Sequence, residues 1–181
     1  MLIDSDRRLP EQVFRREPRA LGFFEFDELL ESSFWIALQR LAAVCDEESV
    51  HLVSIDPDAE RYFRHHFGYY GALELDVQID ATHYLEAIGF EPSSSPADSL
   101  ATNCRTCALV ARSGAFGVWA ERDVEVGVVA LFDPKFDHVV PLPNCVPWRT
   151  ATEVVELAAP AFRNSEVMAS FMAAFLKNYR T

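Results

Sequence analysis

The chain has 181 residues, half of them hydrophobic and 12% aromatic, which is enough for one sizeable core and sets a single domain as the expectation. A formal charge of -12 and a pI near 4.8 exclude a chain built to neutralise nucleic-acid phosphates or to dock on anionic lipid, since both need clustered Lys and Arg. A basic protein is the partner that such a surface attracts.

Residues 1–22 mix Arg7, Arg8, Arg15, Arg16 and Arg19 with Asp4, Asp6, Glu11 and Glu17, are broken by Pro10 and Pro18, and hold no sustained period. They read as an N-terminal arm before a single α+β domain over residues 23–181. With no apolar leader here and no run of the ~18 apolar residues that a membrane span needs, a cytoplasmic protein is expected. Lys135 and Lys177 are the only lysines among sixteen basic residues, a bias that hints at a GC-rich bacterial genome.

Over residues 26–45 the apolar positions Phe26, Leu30, Phe34, Ala37, Leu38, Leu41 and Val44 recur at three and four, the signature of one long amphipathic helix. Residues 50–55 have a strand bias. Asp56-Pro57-Asp58 then predicts a helix start, with Asp56 as cap and Pro57 at the first position, running to about His66 and stopping at Gly68. Leu73, Leu75, Val77 and Ile79 alternate with Glu74, Asp76, Gln78 and Asp80, which predicts a strand with one wet face. Asp80 caps a short helix over residues 81–88 closed by Gly89, and residues 92–103 read as a surface loop.

Residues 105–132 hold three strand-like runs, 105–112, 116–121 and 124–132, joined by Ser113-Gly114-Ala115 and by Arg122-Asp123. Short loops between β-branched and aromatic runs predict an antiparallel meander, and this meander organises the rest of the chain. Residues 134–148 carry four prolines and read as an irregular connector. Thr150 and Glu153 match a capping box for a helix to about Ala158. Asn164 caps the last helix, whose stripe is Met168, Phe171, Met172, Phe175, Leu176 and Tyr179. The expected fold is α+β: an antiparallel sheet of four to five strands with a central meander, and helices, those of Phe26 and Met168 among them, packed mainly on one face.

Chemical motifs are sparse. Cys104-Arg-Thr-Cys107 precedes a strand, whereas thioredoxin-type sites set the pair at a helix N-terminus; zinc would need two further ligands, and only His138 and Cys145 lie nearby in sequence. The four cysteines read as free thiols in a reducing compartment. His65 and His66 are adjacent on a helix and diverge by ~100°, so they do not chelate one ion. No GxSxG, phosphate loop, GxGxxG or HExxH occurs. No catalytic residue, metal or cofactor is therefore assigned.

The run from Gly114 through Phe116, Gly117, Val118, Trp119, Glu121, Arg122, Asp123 and Glu125 to Leu131 resembles the strand, charged turn and apolar strand of small acidic immunity proteins of bacterial polymorphic toxin systems. The resemblance implies a stoichiometric, non-enzymatic inhibitor that covers a toxin domain by surface complementarity. The leading expectation is a protein-binding domain for a basic toxin or enzyme domain, with Glu28, Glu31, Tyr69, Tyr70, Glu74, Asp76, Trp119, Glu121 and Asp123 as partner-binding residues. The alternative is a small-ligand protein or enzyme whose pocket lies between sheet and helices, with His51, His83 or the cysteines as its polar groups. A homodimer formed through exposed aromatics is a third expectation.

Overall fold

The computed structural model describes residues 2–136 and 148–179. Six strands form one open antiparallel sheet: β1 (Ala20–Glu25), β2 (Ser49–Asp56), β3 (Ala72–Asp76), β4 (Thr106–Ala111), β5 (Phe116–Glu121) and β6 (Val126–Leu131). Their order is β1-β6-β5-β4-β2-β3, so the β4-β5-β6 meander lies at the centre, as its turn chemistry requires. The helices are α1 (Ser32–Val44), the single turn α2 (His65–Phe67), α3 (Ala81–Ile88), the short α4 (Leu100–Asn103), α5 (Ala151–Ala158) and α6 (Ser165–Asn178).

Alternation along each strand divides the core between two faces. Cys107, Leu109, Phe116, Val118, Val129 and Leu131 point to one face, where α1 and α3 contribute Phe34, Trp35, Leu38, Tyr84 and Ile88. Trp35 stacks on Tyr84 with ring centroids 4.6 Å apart, and Tyr84 Oη donates to the Leu29 carbonyl at 2.8 Å. Ala108, Trp119, Val126, Val128 and Ala130 point to the other face, where α5, α6 and the N-terminal arm supply Val154, Val155, Phe175, Tyr179, Leu2, Ile3, Val13 and Phe14.

Helices therefore cover both faces, not mainly one, and the Phe26 and Met168 helices lie on opposite sides of the sheet. Six strands replace the four to five expected, because Ala20–Glu25, read as arm and helix lead-in, pairs with β6 along its whole length. Its Phe23 and Phe24 serve opposite faces, so its apolar run shows no alternation to read. The arm is tied down by the hydrogen bond from Tyr179 Oη to the Glu11 carbonyl at 2.7 Å and from Asn178 Nδ2 to the Pro10 carbonyl at 2.8 Å.

The long helix expected over residues 26–45 breaks at Glu31, separating a 3-10 turn over Phe26–Leu30 from α1. Asp58, not Asp56, caps the next helical segment, accepting from the Glu60 and Arg61 amides at 2.9 and 2.6 Å; that segment opens as π-helix over Ala59–Arg64 and ends at Gly68, φ 79°. Asp56 instead ends β2. The passage over residues 92–103 is not all loop, since it closes with α4 capped by Ser99. The caps at Asp80, Thr150 and Asn164 form as their spacing predicts. Most of the proline-rich connector, with His138 and Cys145, lies outside the described residues. Among the described residues no helix is long and apolar enough to cross a membrane.

Candidate functional site

The most developed surface feature is an acidic groove of about 510 Å³ between the end of β1, the Phe26–Leu30 turn, the β5–β6 corner and the end of α5. Each wall has a local origin. Phe26 and Leu29 turn inward from the 3-10 turn, which leaves Asp27 and Glu28 outward. Glu25 and Glu28 cap that turn reciprocally, the Glu28 carboxylate accepting the Glu25 amide at 2.9 Å. On the opposing wall, α5 buries Val154, Val155 and Ala158, so its polar side and Leu157, 46% exposed, face out.

Five carboxylates line the groove: Glu25, Asp27, Glu28, Glu31 and Glu125. Leu157, Ala158, Pro160 and Ala161 form an apolar wall across from them. The acidic surface continues over α5 through Glu153 and Glu156. Arg149 is the cation held at this end: its guanidinium reaches the Glu28 carboxylate at 2.5 and 3.0 Å and Glu25 at 3.3 Å. Among the described residues no ion pair is formed by Asp27, Glu31 or Glu125. Glu125 adopts a left-handed conformation, φ 56°, at the tight corner into β6. Partial burial and then repulsion from Asp27 hold its carboxyl above the usual carboxylate range.

The expected partner-binding residues fall into three groups. Glu28 and Glu31 line the groove, and Asp123 sits on the same corner as Glu125, exposed and paired with Arg105 at 2.5 Å. Tyr69, Tyr70, Glu74 and Asp76 gather around edge strand β3. There Tyr70 is half exposed beneath the Arg64 guanidinium, 5.2 Å from its ring centroid, and Tyr69 packs edge-on to the exposed Phe90. Trp119 and Glu121 are corrected outright: both are buried under the N-terminal arm, so neither faces a partner. They lie on β5, which is buried on both faces, the arm covering the side on which Trp119 and Glu121 stand.

Sequence reasoning missed Glu25, Asp27 and Glu125, together with Glu153 and Glu156. The usable signal was the density of acids over residues 25–31; that α5 and the β5–β6 corner converge on the same place is tertiary information.

The pocket expected between sheet and helices is a cleft lined by Phe26, Leu52, Ser54, Ile88, Cys104 and Cys107 among others, with free space of about 10 Å³, roughly one water. Of the polar groups expected there, Cys104 and Cys107 reach it. His51 lies on the opposite face of β2, and His83 is exposed at the start of α3, where Asp80, 2.9 Å from Nδ1, raises its pKa. His65 and His66 are exposed. No group of three or more metal-binding side chains is found among the described residues. No family model, curated protein or solved structure matches the chain.

Proposed function

We propose that this chain is a non-enzymatic protein-binding domain that docks a basic segment of its partner in the acidic groove, most concretely as an immunity-type inhibitor of a basic toxin or enzyme domain. The observation that carries the reading is the pairing of a carboxylate wall with an apolar wall. Lys and Arg side chains lay their methylene stems on apolar surface and keep the charged head on carboxylates, and the groove offers both at once. The net charge of -12 adds long-range steering of a cationic partner, which raises the association rate more than the affinity. Tyr70, Glu74 and Asp76 around β3 provide a second surface of similar chemistry, farther from the groove along the sheet.

Native mass spectrometry of the chain captured from its own host under mild conditions tests this. A stoichiometric complex with a basic chain is expected, lost in the double variant Asp27→Lys/Glu31→Lys, whose positions are exposed and whose fold is checked by circular dichroism. A bare chain, a homodimer, or a complex indifferent to the double variant overturns the reading.

A further inference from the structure

Cys104 and Cys107 are separated by a bend at Arg105, and both side chains turn to the same cleft beneath the Phe26–Leu30 turn. Around them is a polar cluster unusual for an apolar layer. Cys104 Sγ donates to the Thr106 carbonyl at 3.1 Å and lies 3.5 Å from Ser54 Oγ, whose own hydroxyl donates to the Pro57 carbonyl at 2.6 Å. Arg122 stands over Phe26, 4.7 Å from its ring centroid, and holds the Ala101 and Thr102 carbonyls of α4 at 2.6 and 3.0 Å. Its Nε is buried with no hydrogen-bond partner. The Arg122 charge favours negative charge on both sulfurs.

We propose that Cys104 and Cys107 form a peroxide-sensitive dithiol, in which Cys104 is the attacking sulfur and Cys107 resolves it into an intramolecular disulfide. The placement of charge supports the division of roles. The hydrogen bond from Cys107 and then the Arg122 charge hold the Cys104 thiol below the usual thiol range against its burial, whereas Cys107 is pushed up by that same hydrogen bond and by burial. This differs from thioredoxin-type sites, since a side-chain hydrogen bond, not a helix N-terminus, is the main influence that lowers the thiol.

The chemistry closes with hydrogen peroxide as oxidant, a molecule little larger than the water-sized space in the cleft. The Cys104 thiolate attacks one peroxide oxygen, the O–O bond breaks, and Cys104 sulfenic acid forms as the leaving hydroxide takes up the thiol proton to become water. Cys107 sulfur then attacks Cys104 sulfur; the S–S bond forms, the S–O bond breaks, and the departing hydroxide leaves as water with the Cys107 proton. Two thiols and one peroxide give one disulfide and two waters.

Cys45 supplies an internal control: it is also buried, no second sulfur shares its surroundings among the described residues, and its thiol is pushed up to about 11, by burial above all. The reduced full-length chain is treated with hydrogen peroxide at neutral pH, quenched, denatured, labelled with N-ethylmaleimide and digested with trypsin, which cuts after Arg105 between the two sulfurs. Expected is joint loss of label at Cys104 and Cys107 at least about tenfold faster than at Cys45, with the two tryptic peptides joined until reduced. In Cys107→Ser, dimedone traps a sulfenic acid on Cys104; in Cys104→Ser, Cys107 stays a thiol. Equal labelling of all three cysteines after peroxide, a bridge from either sulfur to Cys45 or Cys145, or dimedone on Cys107 would overturn the proposal.

Discussion

On β5 the indole Nε1 of Trp119 donates to the Oε1 of Glu121 at 2.6 Å, with both side chains closed off from solvent by the N-terminal arm. The same oxygen accepts the Leu9 amide at 2.7 Å, so one carboxylate fastens the arm to the sheet and satisfies two buried donors. Arg8 adds its guanidinium 5.6 Å from the Trp119 ring centroid. Removing the acceptor leaves both donors orphaned. Glu121→Leu is expected to lose about 2–4 kcal/mol in urea unfolding, while Glu121→Gln, which keeps an acceptor, stays within about 1 kcal/mol of the parent at neutral pH.

The same site sets a pH dependence. Burial, more than any other influence, raises the Glu121 carboxyl above its ordinary value, with the Leu9 and Trp119 hydrogen bonds opposing. A raised folded pKa means that the folded chain holds a proton the unfolded chain has released. Its favourable contribution is complete below the unfolded value and is lost as pH rises through the folded one. Stability of the parent relative to Glu121→Gln should therefore fall from acid toward neutral pH. A parallel pair of pH–stability curves would refute this.

Gly127 of β6 lies opposite Phe24 of β1, and a Cβ at 127 would run into the Phe24 ring, which is fully buried. The glycine is required by this close approach, not by its backbone angles. Gly127→Ala must push Phe24 against Phe34, whose ring centroid is 5.1 Å away, and is expected to destabilise by about 1–3 kcal/mol, read by thermal or urea unfolding.

Arg149 ties the groove to the sheet edge. Its backbone exchanges hydrogen bonds with Phe23 at 2.7 and 3.2 Å while its guanidinium holds Glu25 and Glu28. Arg149→Met keeps much of the stem and the backbone pair but leaves two partly buried carboxylates without their cation. The expected result is a loss of about 1–3 kcal/mol of stability together with tighter binding of a cationic probe, the stability loss shrinking as salt screens the carboxylates.

Local signals carried much of this fold. The period-two run at Leu73–Ile79, whose strand stops at Asp76, the meander turns and the caps at Asp80, Thr150 and Asn164 all depend on neighbours within a few residues, and each forms near its expected place. What escaped was set by distant contacts. Ala20–Glu25 becomes a strand because β6 offers it an edge, and Trp119 and Glu121 disappear because the arm folds back over β5. The groove was half legible: Glu28 and Glu31 stand out in an acidic run, whereas Glu125 joins them only through the left-handed corner before β6.

The most direct test of the binding reading is an NMR titration of the isotope-labelled chain with a synthetic peptide of alternating Arg and Ala, run beside two charge-matched variants. Asp27→Asn/Glu31→Gln and Glu74→Gln/Asp76→Asn remove the same net charge from the groove and from the β3 edge. The account predicts saturable shifts centred on Asp27, Glu31, Glu125 and Leu157. These should weaken in salt and as pH falls through the raised Glu125 value, and should be lost only in the groove variant. Shifts centred on Glu74 and Asp76, or equal loss in both variants, would contradict it.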